Sequence, residues 1–265
     1  MRNLIIYIIT AVLFISISAV SCKDKEKTAP QIPPESAFVL NVSDFEDAPD
    51  SKESYANFSY SVVSVGVWHT LLSVGMAVPV AAYAEAVTNN DPVYQSDDTW
   101  LWSYDFPLGE AAYSASLYGT VANDSVDWKM YITKEGTYKD FLWYKGKSAL
   151  DRSGGYWILY ESPVNDVELL EIVWERKPDA KGNIKYTNIK QGGAENGAYI
   201  FYGNDETEGD FSHYYDIYNK GKAQLTEIEW DNATMAGRVR DTVHFSDENW
   251  HCWDASLQDV DCPTE

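Results

Sequence analysis

The sequence predicts a mainly β protein: an antiparallel up-and-down meander, curled into an open or closed barrel and packed around one long apolar N-terminal helix. Three observations carry that expectation. The stretch from Ser54 to Ala84 has no formal charge, and His69 is its one group that titrates near neutral pH. From Thr99 onward, apolar and polar residues alternate with period two. Turn-forming residues recur between these runs at hairpin intervals.

The first residues, MRNLIIYIITAVLFISISAVSC, carry one positive charge at Arg2 and an apolar run from Leu4 to Ile17 broken by Thr10 and Ser16. Small residues at Ser18, Ala19 and Ser21 precede Cys22. This is the plan of a secretory signal over residues 1–21, and the run is short for a bilayer of ~30 Å. The small residues before Cys22 resemble the lipobox of bacterial lipoproteins, which implies acylation of Cys22 and membrane attachment through its acyl chains. Residues 22–37 read as a disordered tether, with little to bury against the entropy of ordering. Cys22-Lys23-Asp24-Lys25-Glu26 resembles the signal that sends some Bacteroidota-type lipoproteins to the outer face of the outer membrane, with Lys25 interrupting its acidic pair. The expected location is therefore the outer membrane, lipid-anchored, on the periplasmic face or the cell surface.

Pro33-Pro34-Glu35, Ser43-Asp44-Phe45, Trp68 and the segment from Val78 to Ala82 resemble, in this order, the opening of an uncharacterised family of Bacteroidota-type lipoproteins. The resemblance implies an envelope location and a shared fold, and it brings no catalytic residues with it. A single β-rich domain is expected over 38–265.

The apolar stretch predicts a helix at about 61–87. A helix apolar on all sides must be buried in protein or in lipid, and at ~20 residues per span this one is long enough to cross a bilayer. Ser59, Ser61, Ser64, Thr70 and Ser73 need hydrogen-bond partners, and Pro79 interrupts the run, which favours a protein core. Pro79 either kinks the helix or sits in the first turn of a second one. Val65, Trp68, Leu72, Met76 and Tyr83 fall at near-helical spacing, with Gly66, Gly75 and Ala82 as small neighbours where strands can approach. His69 reads as a hydrogen-bonded core histidine.

Beyond Asp91-Pro92 the period changes. Val126, Trp128, Met130 and Ile132 alternate with Asp127, Lys129 and Tyr131; Leu170, Ile172 and Trp174 alternate with Glu171 and Glu175; Thr226, Ile228 and Trp230 alternate with Glu227 and Glu229. Each pattern is that of a strand wet on one face. Turns are expected at Glu135-Gly136, Lys145-Gly146, Gly154-Gly155, Asn165-Asp166, Gly182-Asn183, Gly192-Gly193, Asn204-Asp205, Asn219-Lys220-Gly221 and Asp231-Asn232. Short turns require antiparallel neighbours, which predicts a meander of ~10 to 12 strands. A curled sheet around a helix resembles, in architecture alone, the half-open barrels of periplasmic lipoprotein carriers and their outer-membrane receptors.

A net charge of −21 excludes nucleic acid as a partner and disfavours anionic headgroups. Outside the cytoplasm Cys252 and Cys262 favour a disulfide; free thiols and a His251-Cys252 metal site are the alternatives. Asp205, Glu206, Glu208 and Asp210 form a weak calcium candidate without EF-hand spacing. Glu227 and Glu229 share a strand face ~7 Å apart, as a carboxylate pair for glycan hydrolysis would, although their alternation also marks a wet face. No nucleophile elbow, zinc helix or phosphate loop is present, no catalytic residue is assigned, and no cofactor is expected. With 10 Trp and 19 Tyr, and Tyr214 and Tyr215 expected on opposite faces of one strand, aromatic rings are predicted both in the core and at a mouth or outer face. Binding is the class this composition supports: a non-catalytic, lipid-anchored envelope protein that takes an apolar or glycan ligand or a protein partner. The alternatives are a purely structural lipoprotein with a filled core and a carboxylate-dependent glycan-processing enzyme.

Overall fold

A computed structural model describes residues 27–40, 42–45, 53–88, 91–204 and 211–263. The expected signal over 1–21, Cys22 with the start of the tether, and the calcium candidate at Asp205, Glu206, Glu208 and Asp210 lie outside the described residues.

The strands are β1 (Val93–Tyr94), β2 (Thr99–Leu108), β3 (Ala111–Ala122), β4 (Ser125–Lys134), β5 (Tyr138–Ala149), β6 (Gly154–Ser162) and β7 (Asn165–Arg176). They continue as β8 (Gly182–Asn188), β9 (Tyr199–Gly203), β10 (His213–Asn219), β11 (Gln224–Trp230), β12 (Gly237–Arg240), β13 (His251–Trp253) and β14 (Asp259–Val260). All fourteen form one sheet in sequence order, every neighbouring pair antiparallel. The sheet is not closed: it ends at β1 and β14, each two residues long, and β1 pairs with only Trp100 and Leu101 of β2. The alternation predicted for β4, β7 and β11 places Val126, Trp128, Met130, Ile132, Leu170, Ile172, Trp174, Ile228 and Trp230 in the core.

Some expected turns are strand. Lys145-Gly146 lies inside β5, where Gly146 faces Trp157 of β6 in register. A β-carbon at Gly146 would stand 2.5 Å from Cε3 of Trp157 and collide with the Tyr156 carbonyl oxygen. The glycine is there for close approach, not for a turn. The same device recurs at Gly119 under Trp128, Gly155 under Trp174 and Gly237 under Trp253, and on the outer face at Gly203 under Tyr214. Tyr214, expected at a mouth or outer surface, is buried for this reason, with Phe201 packed edge-on 5.3 Å away.

The single long helix is two: α1 (Ala56–Gly75) and α2 (Ala77–Thr88), bent by 78° at Met76. Pro79 falls in the first turn of α2, where a missing N–H costs no helical bond. No single described helix is long and apolar enough to cross a membrane; only the bent pair together meets that length and composition. Gly66 and Gly75 have open space where a β-carbon would sit, so no strand approaches them as expected.

The concave face is filled by more than helix. Within the expected tether, Pro30, Pro33 and Ala37 are buried, so packing begins ahead of residue 38. The physical reason is hydrogen bonding along a proline-bearing chain that makes one short 3-10 turn at Glu35–Ala37. The Tyr83 hydroxyl donates to Pro33 O (2.8 Å), Trp157 Nε1 to Ala37 O (2.8 Å) and the Tyr186 hydroxyl to Phe38 O (3.1 Å). Phe38 stacks on Tyr83 at 4.4 Å, and Phe45 meets Trp230 edge-on at 4.8 Å. The segment thus lines the inside of the sheet from α2 to β11. α2 packs on β2, while α1 packs on β12, β13 and β14.

α1 lacks a capping side chain at Tyr55. Its first free N–H groups, Ala56 N and Asn57 N, are instead taken by the Asp259 carboxylate, each at 3.0 Å, from the far end of the chain. Negative charge at a helix N-terminus is favourable. The Cys252–Cys262 disulfide, with Cα atoms 5.2 Å apart, closes the loop that presents Asp259, and Asn57 Nδ2 donates to Cys252 O (3.0 Å).

Candidate binding cleft

The first half of α1 is held by Phe58, Ser61, Val62 and Val65, all buried. Past Gly66 the helix stands away from the sheet. Val63, Val67, Leu71 and Val74 recur at helical spacing and are between 56% and 75% exposed. A helix apolar on every side has no wet face to offer, so whichever side packing leaves over remains apolar.

A cleft of about 750 Å³ separates this half of α1 from strands β7–β11. Val63, Val67, Leu71 and Leu72 form one wall, and Leu169, Leu170, Ala198 and Ile217 the other. Polar groups come from Asn188, Glu195, Asn219, Lys222 and Gln224. On the other side of Leu72 and Met76 lies a smaller recess of about 250 Å³, bounded by Phe38, Leu159, Ile172 and Tyr186. His69, expected in the core, is exposed at the edge of this recess, because the helix around it overhangs rather than packs.

One end of the main cleft is a polar knot. The buried Asp241 carboxylate accepts from the Tyr60 hydroxyl (2.7 Å), Gln224 Nε2 (2.9 Å) and the Thr226 hydroxyl through Oδ2. Its Oδ1 caps α3 (Thr242–Phe245) by accepting from Val243 N and His244 N, both 3.0 Å. Burial by itself pushes this carboxyl up, but the hydrogen bonds from Thr226, Tyr60, His244 N and Gln224 outweigh it and hold the pKa below the usual carboxylate value. Burial pushes the Tyr60 hydroxyl up, which keeps it a donor. The His244 ring stacks on Tyr60 at 3.7 Å.

Glu227 and Glu229 lie on the outer face, away from the cleft. Glu227 is clasped by Arg240 through two bonds of 2.8 Å, and Glu229 accepts from Arg238 Nε at 2.6 Å. Both arginines lie over Trp250. Asp216 of β10 stands opposite Glu227 in register. Burial first, then Glu227 and Glu229, push its carboxyl up to about 6 against the opposing pull of Lys185 and Arg240. A carboxyl raised in the folded state keeps its proton where the unfolded chain has lost it, so stability falls as pH rises from ~4 to about 6. Asp216→Asn is expected to stabilise the fold at pH ~7.5 by about 1 kcal/mol, discounted for partial exposure, with no gain near pH ~3.5. Urea denaturation at the two pH values measures this.

Cys252 is consumed by the disulfide, and among the described residues no three His, Cys, Asp or Glu side chains converge as metal ligands. The cleft could not be located from sequence, since α1 is uncharged throughout and its apolar residues are spread around all its sides, so nothing in its pattern marks which side packing leaves exposed. Asp241 and Asp259 carried only the weak signals of an aspartate before a short helix and one between two cysteines. Compared with known proteins, the chain matches no family model, no curated protein and no solved structure.

Proposed function

We propose that the protein is a non-catalytic, lipid-anchored envelope protein that holds an apolar, acyl-bearing ligand in the cleft between α1 and strands β7–β11. The observation that carries this reading is the exposed stripe of Val63, Val67 and Leu71 facing the apolar wall of Leu169, Leu170 and Ile217 across about 750 Å³. That size suits a small ligand, and a tail covering ~300 Å² of wall gains about 7 kcal/mol before the costs of association. Asn188, Asn219 and Lys222 give a polar head its partners. The anchor rests on the lipobox-like residues before Cys22 and on the family resemblance. A hydrolytic reading loses support because Glu227 and Glu229 are ion-paired on the outer face.

Two experiments test the proposal. A fluorescent apolar probe such as N-phenylnaphthylamine, titrated into the soluble chain from Lys27, should brighten and be displaced by a long-chain fatty acid. Leu71→Asp should weaken binding at least about tenfold, with stability changed by less than ~0.5 kcal/mol because Leu71 is exposed. An unresponsive wild-type chain would sink the ligand reading. Cys22→Ala in the producing cell should move the protein from the membrane to the soluble fraction; continued retention would assign the membrane contact to α1 and α2.

A further inference from the structure

A second recess, about 820 Å³, lies on the outer face of β2–β6, away from the helices. Two features make this part of the sheet hollow. The β4–β5 ladder is interrupted by register shifts after Met130 and Ile132. At the second shift Asp140 takes a left-handed φ of 48°, with its N–H bonded to Thr133 Oγ1 at 2.9 Å. Such bulges bend a strand and re-aim its side chains.

The lining combines two properties. It is aromatic: Tyr118 and Tyr131 meet edge to face at 5.9 Å, and Tyr156 is 42% exposed. It is also balanced in charge, on a chain of net −21: it carries Asp127 and Asp140 together with Lys129 and Lys145. Asp127 pairs with Lys147 at 3.6 Å, and Lys145 with Glu168 at 2.7 Å. A lining with four charged side chains is a poor seat for a purely apolar molecule, and local neutrality gives neither an anion nor a cation an advantage. Flat rings beside many fixed donors and acceptors suit a molecule that alternates C–H faces with hydroxyls.

We infer that this outer recess is a binding site for a neutral glycan, with Tyr131 and Tyr156 as stacking platforms, separate from the cleft under α1.

The test is affinity electrophoresis of the full chain in mild detergent, through native gels containing hydroxyethylcellulose, galactomannan, glycogen or polygalacturonate. Retardation is expected in at least one of the three neutral polymers. Tyr131→Ala/Tyr156→Ala should weaken it at least about tenfold, and Leu71→Asp in the other cleft should leave it unchanged. Should the double variant not fold, Tyr156→Ala alone, at an exposed position, should still weaken retardation severalfold. No retardation in any neutral polymer, undiminished retardation in the tyrosine variants, or retardation by polygalacturonate alone would each overturn the assignment.

Discussion

Asp241→Ala is expected to cost about 3–5 kcal/mol of folding stability, the largest effect of any polar substitution in the described structure. The carboxylate is fully buried and takes five hydrogen bonds, so its removal strands donors from three elements at once. Tyr60 of α1, Gln224 and Thr226 of β11 and the first turn of α3 would all lose their common acceptor. Because the folded pKa is depressed, the stabilisation is present above the unfolded carboxylate range and is lost as pH falls through the folded value. The difference between wild type and variant in urea should therefore be constant from pH ~8 to ~5 and shrink only in stronger acid. A deficit under ~1 kcal/mol at neutral pH would mean that water replaces the carboxylate without loss.

Trp157→Ala is expected to cost a similar 3–5 kcal/mol, through a cavity rather than through stranded donors. The indole is inaccessible to solvent, covers Gly146, and meets Phe38, Tyr83 and Tyr144 with ring centres 5.4–5.8 Å apart. Its N–H also holds Ala37 of the inner lining at 2.8 Å. Loss of near-UV dichroism and a lower urea midpoint should appear together, since this ring ties the lining, α2 and the sheet into one cluster. Gly146→Ala, which adds one carbon under the same ring, should cost about 1–3 kcal/mol by overpacking.

These two sites show what the sequence reveals and what it hides. The alternation through Val126–Ile132 and Thr226–Trp230 was legible because burial on one face of a strand imposes period two directly on the residues. The Cys252–Cys262 pair is legible from the expected compartment and from proximity. Gly146 reads as a turn because a glycine required by a neighbouring ring looks, in sequence, like a glycine required by a turn; the deciding residue, Trp157, sits on the next strand. The break at Met76 was hidden behind the more obvious Pro79, which a first turn tolerates. Residues 27–37 read as unburiable because their burial works through backbone carbonyls, Pro33 O and Ala37 O accepting from Tyr83 and Trp157, and backbone carbonyls have no letter in a sequence. The cleft was out of reach for a related reason: an uncharged helix with apolar residues on all its sides carries no period to say which face is left over.

The clamp of Asp259 on α1 also bears on the order in which the molecule assembles. Every strand pairs with its neighbour in sequence, so the sheet can zip through short loops. The Ala56–Asp259 contact spans 203 residues and is the longest-range hydrogen bond among the described residues. Docking of α1 against β12–β14 is therefore expected to be the last step of folding, with little of it formed at the barrier. Substitutions there, Asp259→Ala among them, should leave the folding rate nearly unchanged and speed unfolding. The lifetime of the folded protein is then governed at the seam where its first helix meets its last strand.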